Sequence, residues 1–231
     1  MTRTFLPLLL ILCSVVGALA ESTQEQSLWK ELTLAQQEQL LSGRAVKLQE
    51  DVPESAWPRF TIYHLVKGKP SDVAAVFWNC ELDPVYIPNC TSVRILSRPS
   101  PSIHEAEYTL KMPFFLPDEV YISRNSLTEI SKSDYEITWK VLSSRYTKSC
   151  SGNLRMEQHG NDTLIRYTNL VIPGSRIAGL LRATAGNQVV DSVQALAHQV
   201  GTELSDDRNL LEHQLRELEK AIAPVPVGIT R

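Results

Sequence analysis

The sequence contains no Gly-Xaa-Ser-Xaa-Gly elbow, no Walker-type phosphate loop and no glycine-rich dinucleotide turn, so hydrolase and nucleotide-binding readings lose the motifs that carry them. Its five histidines, His64, His104, His159, His198 and His213, are scattered. No two stand at metal-ligand spacing and none has a cysteine at zinc-finger distance, so neither a metal nor a cofactor is expected. Charge of one sign is also missing: Lys plus Arg is 23 against Asp plus Glu 26. Neither forms a long block, and nucleic acid is excluded as a natural partner. There is no internal repeat, no low-complexity tract and no apolar run of the about 20 residues that a permanent membrane helix requires.

What is present begins with Arg3, an apolar run over residues 5–16, and the small residues Ala18 and Ala20. Basic start, short apolar core and small-residue cleavage site together read as a secretory signal over residues 1–20, with a secreted or periplasmic protein after cleavage near Ala20. Cys13 follows Leu12 rather than a small residue, which argues against lipid attachment. The mature chain keeps Cys80, Cys90 and Cys150, and export places them where disulfides persist. Cys80 and Cys90 flank a turn-rich stretch with Pro84 and Pro88, whose ends can approach the roughly 6 Å Cα separation of a disulfide. A Cys80–Cys90 bridge is therefore expected, the alternative being two independent buried thiols; Cys150 is left over. Asn89 and Asn161 fit glycosylation acceptors, relevant only in a host that glycosylates the chain.

Thr33-Leu-Ala-Gln36 reads as a capping box opening a short helix that Gly43 ends. Residues 44–66 are extended, with a proline-bearing interruption from Pro53 to Pro58, and read as one long or broken first strand. Pro70-Ser-Asp72 starts a helix with Val73, Val76 and Phe77 at helical spacing, and Asp83-Pro84 stops it. Six short strand-like runs follow at 93–97, 103–112, 120–130, 135–143, 153–159 and 164–172, separated by turn chemistry. Connections this short imply an antiparallel meander.

Alternation sets the faces. His104, Ala106, Tyr108, Leu110 and Met112 share one side of their strand against Glu105, Glu107, Thr109 and Lys111, and Tyr135, Ile137, Trp139 and Val141 repeat the pattern. One face of the sheet meets water and the other needs a cover. The cover is a helical pattern from Ser175 to about Glu203, with Ile177, Leu180, Thr184, Gln188, Val193 and Val200 on one stripe. A second amphipathic helix from Ser205 carries Leu210, Leu211, Leu215, Leu218 and Ile222, before a mobile Pro224-Val-Pro226 tail. On the last strand the inward phase is ambiguous, because Arg166 and Thr168 lie on one side and Tyr167 and Asn169 on the other.

This order of elements is that of the helix-grip fold. With Val76-Phe77-Trp78, Asp83 and Tyr86-Ile-Pro88, then Tyr167-Thr-Asn169 and Pro173-Gly-Ser, the chain resembles the START-like superfamily, also called SRPBCC, over about residues 44–204. The resemblance implies an α+β fold in which a curved, seven-stranded antiparallel sheet wraps around a long C-terminal helix and encloses an apolar cavity. It also sets the organisation: a signal at 1–20, a helical segment at 21–43, the helix-grip domain at 44–204, and an amphipathic helix with tail at 205–231. Relatives include polyketide cyclases, coenzyme-Q-binding proteins and lipid-transfer domains.

Tyr108, Met112 and Trp139 on the sheet and Thr184 and Gln188 on the helix make an apolar space with a few polar handles, the usual makeup of a small-molecule pocket. By resemblance, Tyr167 and Asn169 face the ligand and Arg182 stands near the mouth; plain core packing and a solvated helix residue are the alternatives. Three functions compete. The first is an exported carrier of a lipid or other apolar molecule, with transient membrane contact allowed. The second is a cyclase-like enzyme using an inward acid or base, for which His104 is the candidate catalytic residue. The third is a ligand-free interaction module whose helix from Ser205 docks on a partner protein.

Overall fold

Pro53 and Pro58 decide the strand count. Proline cannot donate to a sheet ladder, and between these two the chain reverses instead of running on as one broken strand. The result is a hairpin of β1 (Val46–Glu50) and β2 (Arg59–Lys67), with Val46 opposite Tyr63 and Glu50 opposite Arg59. The expected seven strands are therefore eight among the described residues. The computed structural model describes residues 27–53, 55–112, 116–174 and 182–223, without the side chains of 182–185. The signal at 1–20, residues 175–181 and the Pro224-Val-Pro226 tail lie outside the described residues.

After β2 come α2 (Pro70–Trp78), a 3-10 turn (Cys80–Leu82) and α3 (Asp83–Tyr86). Then the meander runs β3 (Cys90–Ser100), β4 (Ile103–Leu110), β5 (Glu119–Ser131), β6 (Asp134–Ser144), β7 (Thr147–His159) and β8 (Asp162–Pro173). The spatial order is β1-β2-β8-β7-β6-β5-β4-β3, and each neighbouring pair is antiparallel. A short helix α1 (Leu34–Leu41) precedes the sheet; α4 (Arg182–Ser205) and α5 (Arg208–Ile222) follow it.

One face of the sheet meets all three longer helices. Ile62, Ile137, Leu154, Met156 and Ile165 pack there against Val73 and Val76 of α2, Val193, Leu196 and Val200 of α4, and Leu211 and Leu218 of α5. Each such side chain, fully buried, contributes about 1.5–3 kcal/mol. The apolar stripe of α5 is thus spent inside its own chain. Asp207 caps α5 by accepting from the Leu210 N–H at 3.2 Å.

The opposite face is not simply wet. Leu28, Leu32, Leu40, Val46, Tyr63 and Leu164 form a second core there, where the segment before β1 lies across β2 and β8. The Thr33–Gln36 capping box is formed, and Gly43 leaves α1 at φ +82°, a left-handed turn that favours glycine. Tyr63 donates to Glu31 at 2.6 Å, and Arg166 pairs with the same carboxylate at 2.8 Å. Leu28 N–H donates to Glu157 at 2.8 Å, and the Trp29 ring stacks on His159 at 4.1 Å. This second cover explains the ambiguous phase of β8: both its faces are buried, so alternation between apolar and polar is erased.

Under that cover Arg155, with its side chain 3 % exposed, makes a two-pronged pair with Asp134 at 2.8 and 3.2 Å. Removing one partner of a buried pair strands the other's charge and costs roughly 3–5 kcal/mol. Arg155→Met is expected to lower unfolding free energy by about that amount in urea titration, and adding Asp134→Leu is expected to recover much of it; equal stability of wild type and Arg155→Met would contradict this account.

Candidate functional site

Beyond the solid half of the sheet, the same face opens into a cavity of about 550 Å³. The strand registers place one transverse row of residues across its floor: His104 opposite Asn125, Asn125 opposite Trp139, Trp139 opposite Gly152, Gly152 opposite Asn169, and Asn169 opposite Phe60. Gly152 makes the middle of this row possible. A Cβ there would meet the Thr168 carbonyl oxygen at 2.2 Å and the Trp139 ring at 2.4 Å. Without one, the Trp139 indole lies across β7 and donates to Asn169 Oδ1 at 3.2 Å, while the Cys150 thiol donates to the same oxygen at 3.3 Å. Phe77 and Tyr167 flank the indole at 6.0 and 5.0 Å between ring centroids.

Tyr108, Met112, Trp139, Tyr167, Asn169 and Gln188, anticipated from the sequence, all line this cavity, Gln188 from an exposed position on α4. The backbones of Arg182 and Thr184 lie in α4, and their side chains are outside the described residues. Other wall residues were not legible beforehand. Asp83 was hidden inside an Asp-Pro pair that reads as a helix stop. Tyr121, Ser123 and Asn125 lie on β5, where the inward side holds Ser123 and Asn125 while Ile122 points away, so hydrophobic alternation has no phase. The register with β4, which sets Tyr108 opposite Tyr121 with the rings parallel at 4.9 Å, is the signal that finds them.

His104 borders the cavity but is only 1 % exposed, under the Trp78 ring at 4.2 Å. Its Nε2 meets Asn125 Nδ2 at 2.8 Å and Cys80 Sγ at 3.5 Å. In a Cys-His-Asn catalytic arrangement the amide holds the ring nitrogen opposite the thiol; here both approach the same nitrogen. Burial, with Arg98 adding to it, drives the imidazole down to about 4, and burial pushes the Cys80 thiol up to about 12. An imidazole of such low basicity does not draw the proton from a thiol pushed so far up, so this pair is poorly suited to forming a thiolate. Cys90 and Cys150 are likewise held protonated by burial, up to about 12 and about 11.

The expected Cys80–Cys90 disulfide is absent, and both are free thiols. The turn-rich sequence between them is taken up by the 3-10 turn and α3, and Asn89 at φ 64° then swings the chain into β3. Cys80 faces His104 from the 3-10 turn, at 3.5 Å between Sγ and Nε2. Among the described residues, no three His, Cys, Asp or Glu side chains converge where an ion could sit.

Asp83 projects from the start of α3 into the cavity wall and accepts from the Tyr86 hydroxyl at 2.9 Å. Burial lifts its carboxyl to about 8, the Tyr86 hydrogen bond acting in the other direction. Glu119, also on the wall, is fully used: it accepts from Ser144 Oγ and from the Arg145 and Tyr146 N–H groups at 2.9–3.0 Å.

No protein-family model and no curated protein matches this sequence. Solved structures do. A STAR-related lipid transfer protein from Xanthomonas axonopodis superposes with a TM-score of 0.61 at 12 % identity, over 68 % of this chain and 93 % of that one. The chain has the START-like helix-grip fold. Human STARD10 matches this START-like chain with a TM-score of 0.65 at 12 % identity, over 79 % of each. The ZhuI aromatase/cyclase from Streptomyces sp. R1128 reaches 0.55 at 13 % identity, over 64 % of this chain and 96 % of that one. At such identities the likeness is one of fold.

Two outcomes follow for the START-like site. Gly152→Ala is expected to lose about 1–3 kcal/mol by overpacking and to change the near-ultraviolet signal of Trp139; an unchanged spectrum and Tm would refute the role given to Gly152. His104 has a folded value below its unfolded one of about 6.5, so its contribution is present above pH 6.5 and is lost as pH falls toward 4. Between pH 7 and 4 wild type should lose about 3 kcal/mol more stability than His104→Gln, read from denaturant titrations at each pH; parallel losses would count against a sealed, neutral His104.

Proposed function

We propose that this chain is an exported binding or carrier protein for a lipid or another apolar small molecule held between the sheet and α4. The observation that carries the reading is the cavity. Its volume of about 550 Å³ falls in the range of roughly 300–1,000 Å³ usual for small-molecule sites. Its walls include Trp57, Phe60, Phe77, Trp139 and Tyr167, in a protein whose other half is packed solid. Atoms lining empty space forfeit dispersion contacts, and an apolar molecule restores them.

Two similar structures, a lipid transfer protein and an aromatase/cyclase, support the reading of a small-molecule cavity. Fold does not fix function, so the chemistry of the wall decides between them. A cyclase working through His104 needs that imidazole in contact with the substrate and able to take up a proton near working pH. At 1 % exposure, and held neutral down to about 4, His104 is poorly suited. The interaction-module reading is weakened because the apolar stripe of α5 already packs on α2 and the sheet. The pattern at residues 1–20 supports export, which directs the search to apolar molecules of the envelope or the extracellular space.

The test is to purify the full chain from an exporting host and to examine the mature protein by native mass spectrometry and solvent extraction. The expected result is a polypeptide starting near Glu21 that carries about one apolar molecule. Protein recovered empty, and still empty after incubation with lipid extract, would overturn the carrier reading.

A further inference from the structure

Asp83 is the strangest group in the cavity. One of its oxygens accepts from Tyr86 at 2.9 Å, and no lysine, arginine or histidine reaches the carboxyl among the described residues. Lys111, the cation on the wall, is engaged with Asp118 at 3.2 Å. A buried carboxylate with no cation is costly, whereas a protonated one is a hydrogen-bond donor. The rest of this wall also donates. Tyr108 accepts from Asn125 at 3.3 Å, and its own O–H is engaged by the Cys80 sulfur. The hydroxyls of Tyr121 and Tyr167 find no partner among the described residues, although both side chains line the cavity. Asp83, Tyr108, Tyr121 and Tyr167 all line the same cavity, with the Tyr108 and Tyr121 rings stacked at 4.9 Å. This region carries hydroxyl and carboxyl groups and, apart from Lys111 paired with Asp118, no positive charge among the described residues.

We propose that the ligand is an uncharged molecule bearing a carbonyl or hydroxyl oxygen, held at that oxygen by Asp83 with Tyr121 and Tyr167, while its hydrocarbon body fills the aromatic remainder of the cavity. This rests on the carrier reading and specifies what is carried. Protonated Asp83 donates a hydrogen bond to the ligand oxygen and keeps its proton, and the tyrosine hydroxyls supply further donors.

The pH window follows from the groups that face the carboxyl. They are Cys80 and Tyr86 on its own segment, Cys90 on β3, Tyr108 on β4, Tyr121 on β5 and Tyr167 on β8, with Glu203 of α4 acting on Tyr86. The thiols and phenols are all pushed upward by burial, so they stay protonated while Asp83 ionises at about 8. Donation to the ligand should hold at neutral pH and fade above 8.

The probes are octane, octanol, methyl hexyl ketone and octylamine, titrated against the mature chain by the fluorescence of the cavity tryptophans, with Asp83→Asn and Asp83→Leu alongside. Asn keeps a donor at every pH and Leu has none. Octanol and the ketone are expected to bind wild type and Asp83→Asn within about twofold of each other and to lose about tenfold in Asp83→Leu, with octane unchanged. From pH 7 to 9 their affinity should fall in wild type and stay level in Asp83→Asn. Should Asp83→Leu not fold, Tyr121→Phe combined with Tyr167→Phe carries the same comparison. Octanol and ketone binding indifferent to Asp83→Leu, or octylamine binding best and losing affinity in Asp83→Asn, would overturn the proposal while leaving the carrier reading standing. Failure of all four probes to bind would instead overturn the carrier reading beneath it.

Discussion

A single helix is about 10 Å wide, and strands lie about 4.8 Å apart, so one helix shields the width of roughly two strands. Everything in this molecule depends on how that shortage of cover is met. Over one half of the sheet α2, α4 and α5 converge, and the strand side chains Ile62, Ile137, Leu154 and Met156 are sealed against them. Over the other half α4 stands across the cavity from the sheet, lining it with Gln188, Val189, Ser192, Val193 and Leu196. The space left there becomes the cavity. β6 joins the two halves, since Ile137 and Trp139 both line the cavity and both pack with the core.

The chemistry of the wall follows from the same geometry. Side chains that line an aromatic-walled cavity are set apart from bulk water. Burial accordingly lifts Asp83, holds the three thiols protonated and keeps His104 neutral. Such a wall is poor in charge and poor in activated nucleophiles, and it retains directional donors on an aromatic background. That combination suits recognition of an apolar molecule at one oxygen better than bond-breaking.

Much of the architecture was legible because it rests on short-range patterns. Alternation in residues 104–112 and 135–141 named the inward face of β4 and β6, and the helical stripe through Val193 and Val200 named the cover. Thr33 to Gln36 declared its own cap. What was not legible shares one feature: its evidence lies in pairing. The region from Pro53 to Pro58 looks alike whether a strand is broken or folded back, and only the pairing of Val46 with Tyr63 distinguishes them. Tyr121 and Asn125 sit on a strand whose inward side is no more apolar than its outward side, so no local count assigns them. Asp83 was concealed by the proline after it, and the Cys80–Cys90 bridge misjudged because a turn-rich sequence was free to form an ordered helical turn.

The sequence by itself determined the elements, the antiparallel meander, the inward faces of its amphipathic strands and several of the residues around the cavity, because each of these is a matter of period, cap or turn within a few residues. Tertiary structure alone decided the eighth strand, the second core behind β8, the free state of the thiols and the company Asp83 keeps. These are set by which strand lies beside which and by how far a helix reaches. No periodicity along the chain records that.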